Sequence, residues 1–189
     1  MCGIAGFFGS NYLKPSSSQI KKTLKIMQNR GKDGEGFITL NVNKDKKLNF
    51  LHTRLAIIDP SKNSNQPFED EEGAIIFNGM IYNYSEIKKK LIKQNIKFRS
   101  KSDTEVLLKY LNYKGIENLD DLDGMWSFAY YSKIKKKLYL SRDRFGEKPL
   151  YFYIDNSNLF FGSYYDYIIN FYKNKKFKIN FDRIENFIK

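Results

Sequence analysis

The chain is poor in the residues that most often anchor small folds or metal sites. Among 189 residues there is one cysteine, one histidine, one tryptophan and four prolines. A single cysteine, Cys2, excludes an intrachain disulfide and agrees with a reducing compartment. No metal site is read from the sequence. No run reaches the roughly 18 apolar residues that a transmembrane helix needs. The start lacks a basic stretch followed by an apolar core, so it does not resemble a secretory signal. These absences predict a cytoplasmic protein that does not engage a membrane. Arginine is also scarce. Of 33 basic residues only Arg30, Arg54, Arg99, Arg142, Arg144 and Arg183 are arginines, and the net charge of +12 comes from scattered lysines. Specific readers of bases and phosphates lean on arginine forks, and no nucleic-acid motif is present. The lysine excess, alongside frequent Asn, Ile, Phe and Tyr, reads as a compositional habit, and no nucleic-acid partner is predicted.

The length suits one good-sized domain able to bury a core without staples. A hydrophobic content of 41% with 16% aromatics predicts an aromatic-rich interior. Residues 4–8 read as a short buried strand, with Gly3, Gly6 and Gly9 allowing close backbone approach. Residues 16–18 can cap a helix that turns Ile20, Leu24 and Met27 inward and stops at Gly31. Residues 37–42 and 48–51 look like strands around a polar turn. Residues 55–58 form a short apolar run, read as a strand beside Arg54 and stopped by Asp59-Pro60. Residues 74–77 are another buried strand. Two helices follow, one over residues 85–94 with Ile87, Leu91 and Ile92 inward. The other opens on the capping-box pattern Ser102-Asp103-Thr104-Glu105. From Met125 onward the pattern is a meander of four strands, then a helix over residues 165–172, a basic stretch and a further helix over 182–189. Many strands with a few non-alternating helices predict an α+β sandwich of layers.

Cys2 carries the first chemical signal. Initiator methionine is usually trimmed before a small residue, and trimming leaves a thiol and a free α-amino group on one residue. An α-amine titrates at about 7.7–8.0, well placed to take a thiol proton near neutrality. Nucleophile and general base then come from one residue, as they do for N-terminal threonine nucleophiles. The plainer reading is a small buried hydrophobe. His52 could pair with the thiol, but an N-terminal base makes it redundant, and a structural role is expected.

Other segments add partners. Arg30-Gly31-Lys32-Asp33-Gly34-Glu35-Gly36 is glycine-dense and charged, by itself a surface turn. Arg54 has a fork that suits a carboxylate. Asn78-Gly79 follows a buried strand and is equally an ordinary hairpin turn. Read chemically, the Asn78 amide and the Gly79 N–H are a pair of donors for the oxyanion of a tetrahedral intermediate. Asp103 is by default an N-cap, and its carboxylate could hold a substrate ammonium. A free amino acid needs one cation and one anion, and Arg54 with Asp103 supplies both.

In this order these pieces resemble the N-terminal glutaminase domain of glutamine-hydrolysing asparagine synthetase, a class II glutamine amidotransferase. The matching text runs from Met1-Cys2-Gly3-Ile4-Ala5-Gly6 through Arg30-Gly31, His52, Arg54-Leu55 and Gln66-Pro67. It continues through Phe77-Asn78-Gly79, Ser102-Asp103-Thr104-Glu105, Arg142-Asp143-Arg144 and Lys148-Pro149-Leu150-Tyr151. The resemblance implies a four-layer αββα sandwich of the N-terminal-nucleophile hydrolase type. It implies that Cys2 attacks glutamine and that its own amine is the base. It makes Asn78 and Gly79 the oxyanion hole, and gives the glutamine carboxylate to Arg54 and its amine to Asp103, with Leu55, Ile57 and Ile58 lining the pocket. Residues 2–163 would be the amidotransferase domain, and 164–189 a helical and basic segment leading towards a synthetase domain that this sequence does not contain. The implied function is glutamine hydrolysis to glutamate and ammonia, feeding ATP-dependent asparagine synthesis. No cofactor is expected in this chain, since ATP and Mg belong to the synthetase domain, whether part of the same protein or a separate subunit.

Three positions depart from the family. Met80 stands where a Glu usually helps hold the substrate amine, which predicts weaker glutamine binding. Lys32 replaces a proline in a turn near the entrance. Tyr164 replaces a glutamate near the junction with the second domain. Rival readings are a feebly active amidotransferase-fold module that docks on a separate synthetase, or an ammonia donor to another amide or amino-sugar synthesis.

Overall fold

The computed structural model describes residues 1–172. Two antiparallel sheets stack in the middle. One runs β2 (Gly34–Asn41), β3 (Lys46–Arg54), β1 (Gly3–Ser10), β9 (Asn158–Gly162) and β8 (Tyr151–Asp155). The other runs β4 (Phe68–Glu69), β5 (Gly73–Ile81), β6 (Gly124–Ser132) and β7 (Lys137–Arg142). Strands alternate two apolar faces, the pattern of a sheet covered on both sides. Ile4, Phe50, Ile76, Ala129 and Phe161 point between the sheets. Ala5, Phe7, Leu51 and Phe160 face the outer helices α1 (Ser17–Met27) and α4 (Tyr165–Phe171). Ile75, Phe77, Phe128 and Tyr130 face α2 (Tyr84–Ile92) and α3 (Asp103–Lys114) on the other side. The result is the expected four-layer αββα sandwich.

Sequence expectations differ from the structure in informative ways. The four strands after Met125 are not one meander: β6 and β7 continue the β5 sheet, while β8 and β9 join β1. Residues 55–58 are not a strand but an irregular loop, with Ile57 67% exposed. Asn78 and Gly79 lie inside β5, opposite Ser127 and Trp126, rather than in a hairpin turn. α1 ends at Met27 with Gln28 as its cap, before Gly31. Ile92, expected inward, is exposed at the end of α2. The pattern at Ser102 makes half a capping box. The Ser102 side chain accepts from Thr104 N–H, whereas the Glu105 carboxylate turns to Ser100 and the Arg99 N–H. The basic stretch and the helix expected over 182–189 lie outside the described residues. No described helix is long and apolar enough to cross a membrane.

Glycine at position 6 is a packing requirement. A Cβ there would sit 2.2 Å from the Phe161 ring, which fills the space between the sheets. This close approach ties β1, and therefore Cys2 at its entrance, to the centre of the sandwich.

Candidate active site

Cys2 precedes β1 at the end of the inner sheet, and its thiol lies beside the last residues of β3. The Leu55 N–H points at Cys2 Sγ at 3.4 Å. Burial pushes the thiol above its ordinary pKa, while the Leu55 N–H, the chain's α-amino group and Arg54 pull it down. A thiol raised this way is a poor nucleophile until a base takes its proton. The glycine-dense segment supports this corner. Gly31 abuts the Arg54 backbone so closely that a Cβ would lie 2.4 Å from its carbonyl carbon. The Asp33 N–H donates to Arg54 O, and the Asp33 carboxylate accepts from the Ala56 N–H. A segment that could have been a plain surface turn therefore braces the loop beside the thiol.

A pocket opens here, lined by Cys2, Arg54, Leu55, Ile57 and Ile58 from one side and by Asn78, Gly79, Met80 and Asp103 from the other. All eight residues singled out for chemistry or substrate contact line it, although they come from the segment before β1, the end of β3 and the loop after it, β5 and α3. Asn78 is buried, and its Nδ2 has no hydrogen-bond partner among the described residues. A buried amide donor without a partner forgoes on the order of 1–3 kcal/mol, a cost that a bound acceptor would remove. Gly79 sits where the neighbouring strand passes very close. A Cβ would lie 2.2 Å from the Met125 carbonyl oxygen, so only glycine fits without parting β5 from β6.

Asp103 opens α3 and is almost fully buried. Its carboxylate accepts from the Ile81 N–H at 3.2 Å. Burial nevertheless dominates and raises its pKa to about 6, because the bonds from Ile81, Thr104 and its own backbone offset desolvation only in part. Arg54 is also buried, but its fork is engaged. Nη1 donates to Ser61 O at 2.8 Å and to Asn65 Oδ1 at 2.9 Å, and Nη2 donates to the carbonyls of Ile58 and Asp59. The guanidinium thus holds the loop over residues 58–65 to the pocket wall. Asp59 is pinned in turn by Ser64, Ser61 and the Lys101 N–H, which hold its carboxyl below the usual range.

His52 is fully buried and does not line the pocket. Its Nε2 lies 3.3 Å from Phe77 O, and burial lowers its pKa to about 3, so it is neutral across physiological pH. The structural role expected of it matches this placement. Gln66 is a positioning residue that sequence reasoning passed over. Its Oε1 accepts from the Phe77 N–H at 2.6 Å, and its Nε2 donates to Phe77 O and to Thr104 Oγ1. β4 reaches only as far as Ile75, so this side-chain amide takes the place of a strand partner just before Asn78. It also clamps β5 to the start of α3. The sequence marks Gln66 only through its place before Pro67. Lys148 and Met125 also line the pocket and carried no expectation.

Comparison with known proteins gives a consistent picture. A family model described as a glutamine amidotransferase domain matches residues 1–189. A putative glutamine-hydrolysing asparagine synthetase 2 of Methanocaldococcus jannaschii is 36% identical over 98% of this chain and 38% of its own length. The glutamine-hydrolysing asparagine synthetase 1 of Bacillus subtilis is 40% identical over 86% of this chain and 26% of its own. The chain therefore spans well under half the length of these relatives. Among solved structures, the glutamine phosphoribosylpyrophosphate amidotransferase of B. subtilis superposes with a TM-score of 0.70 at 21% identity. That match covers 90% of this chain and 43% of the other. At that identity the likeness concerns the fold.

Proposed function

The chain belongs to the glutamine amidotransferase domain family, and on that footing we propose that it hydrolyses L-glutamine to glutamate and ammonia with Cys2 as the nucleophile. Its fold is that of N-terminal-nucleophile hydrolases. The observation that carries the reading is the shared pocket of Cys2, Asn78, Gly79, Arg54 and Asp103. With Met1 removed, the α-amine of Cys2 takes the thiol proton. The sulfur then bonds to the side-chain carbonyl carbon of glutamine, and its oxygen becomes an oxyanion.

The Asn78 amide and the Gly79 N–H donate to that oxyanion, in keeping with the buried, unpartnered Asn78 Nδ2. Removing one such donor typically costs about 3–4 kcal/mol of transition-state stabilisation. The C–N bond breaks, and the nitrogen leaves as ammonia with the proton returned from the amine. Water then cleaves the thioester, releasing glutamate and restoring the thiol. Asp103 holds the substrate ammonium. Arg54 is the cation for the carboxylate, reached if substrate replaces some of the loop carbonyls it now binds. Leu55, Ile57 and Ile58 close the apolar side. Residues 2–163 would carry this chemistry, with 164–189 leading towards the ammonia acceptor.

The relatives are named as asparagine synthetases, and we take ATP-dependent asparagine synthesis from aspartate as the destination of the ammonia. No residue of this chain is assigned to ATP, Mg or aspartate. Glutamate release by wild type and by Cys2→Ala, each with its N-terminus read by intact mass, tests the proposal. Turnover in the trimmed wild type and none in the variant is the expected result. Equal rates would reject it.

A further inference from the structure

Lys148 is the one charged side chain of the pocket wall to which the glutaminase reading gives no work. It is 8% exposed, and its Nζ lies 3.7 Å from Met1 Sδ. The placement is built. The Asp143 carboxylate accepts from the N–H groups of Trp126, Phe145, Glu147 and Lys148, fixing the turn after β7. Arg142 Nε donates to Lys148 O at 2.8 Å. Among the described residues no carboxylate forms an ion pair with this ammonium. A thioether is a weak acceptor for a buried cation.

A second cation converges on the same residue. Arg30 Nε donates to Cys2 O at 2.9 Å, and its Nη2 lies 3.9 Å from Met1 Sδ. When Met1 is removed, the new α-amine of Cys2 borders the space that the Met1 side chain vacates, and both cations lie beside the sulfur that now fills it. The four-methylene stem lets the Lys148 ammonium follow into the vacated volume. Resting on the glutaminase reading, we infer that Lys148 is a positioning residue that keeps the Cys2 α-amine in its neutral, proton-accepting form. Two effects act in the same direction. A nearby positive charge disfavours a second one on the amine. A Lys148 N–H can also donate to the lone pair of a neutral amine, which a protonated amine no longer has.

The titratable and charged groups around Met1 and Cys2 are the Cys2 thiol, Arg30 after α1, Arg54 at the end of β3, Asp103 on α3 and Lys148, with Tyr164, Asp166 and Tyr167 at the start of α4 lining the adjoining pocket beside Met1 and Arg30, and Asp33 bonded to the Ala56 N–H. Of these, Asp103 titrates at about 6. An acid limb in the rate alone would therefore mix two groups, and a direct reading of the amine is needed. The single cysteine supplies one. Protein labelled with 13C-cysteine gives one Cα resonance, whose shift against pH reports the α-amine, and one Cβ resonance that reports the thiol.

After removal of Met1 by methionine aminopeptidase, checked by intact mass, the amine midpoint of wild type should lie about one unit below that of Lys148→Met, with Lys148→Arg restoring it. Lys148→Gln replaces the methionine variant where that one does not fold. Equal midpoints in wild type and in the neutral variants overturn the inference. In turnover, the acid limb of kcat/KM in Lys148→Met should move up by the same unit. Absent turnover in wild type with a shifted amine would refute the glutaminase reading and leave the electrostatic role standing. A Cys2-dependent glutaminase with equal midpoints would do the reverse.

Discussion

Asp103 serves two opposed demands. Its folded-state pKa of about 6 lies above the ordinary carboxylate value, so the folded chain binds this proton more tightly than the unfolded one. The stability it contributes is present below pH ~4 and is lost as pH rises through about 6. Asp103→Asn mimics the neutral form. It should therefore raise stability at pH 7.5 by on the order of 2 kcal/mol, a gain that disappears at pH 4. Denaturant midpoints at the two pH values measure this. The same variant should lose glutamine affinity, because a neutral amide cannot balance the substrate ammonium. In wild type, KM for glutamine should climb as pH falls through about 6, whereas in the variant it should stay high and flat. Met80 presents the complementary case. It lines the pocket from β5, and Met80→Glu adds a carboxylate at the position where the resemblance leads one to expect it. A charged hydrogen bond is worth roughly 1.5–3 kcal/mol, so KM at pH 8 should fall about tenfold or more with little change in kcat.

Elements position these residues through their ends and edges. α3 begins where Ser102 accepts from Thr104 N–H, and that cap sets the place of Asp103 beside it. Losing an N-cap costs about 0.5–2 kcal/mol. Ser102→Ala should lower the denaturant midpoint by that much and weaken glutamine binding together with it. Asp103→Asn, by contrast, should move the two in opposite directions at neutral pH. On β5 the demand is steric. Gly79→Ala puts a methyl group against the Met125 carbonyl, so β5 and β6 must part exactly where the donor pair is needed. Loss of glutaminase activity with a measurable drop in melting temperature is expected. A fully active, equally stable alanine variant would remove Gly79 from the site.

Across the whole molecule, the site exists because two sheets are clamped face to face. Phe161 is fully buried between them, packed edge-on to Phe50 and closing over Gly6. Phe161→Ala should cost about 3–5 kcal/mol, read from denaturant unfolding, since neither sheet can collapse into the void. Most elements were legible in the sequence because local signals mark them: Ser16 caps α1, and double-faced apolar alternation marks β5 and β6. The candidate site residues could be named as well, from a thiol at position 2, an amide before glycine and a capping carboxylate, with their roles implied by the resemblance. What the chain alone could not give was who neighbours whom. The strands after Met125 read as one meander because each hairpin looks alike locally, and only packing sends β8 and β9 to the other sheet. Residues 55–58 read as a strand by their apolarity, yet Leu55, Ile57 and Ile58 line a pocket and none of the four pairs within a sheet. The contacts that Gln66 and Lys148 make, and the engagement of Arg54 by loop carbonyls, were invisible for the same reason. Local sequence fixes backbone preference and chemical type, whereas burial, desolvation and the meeting of distant side chains arise only when the layers close.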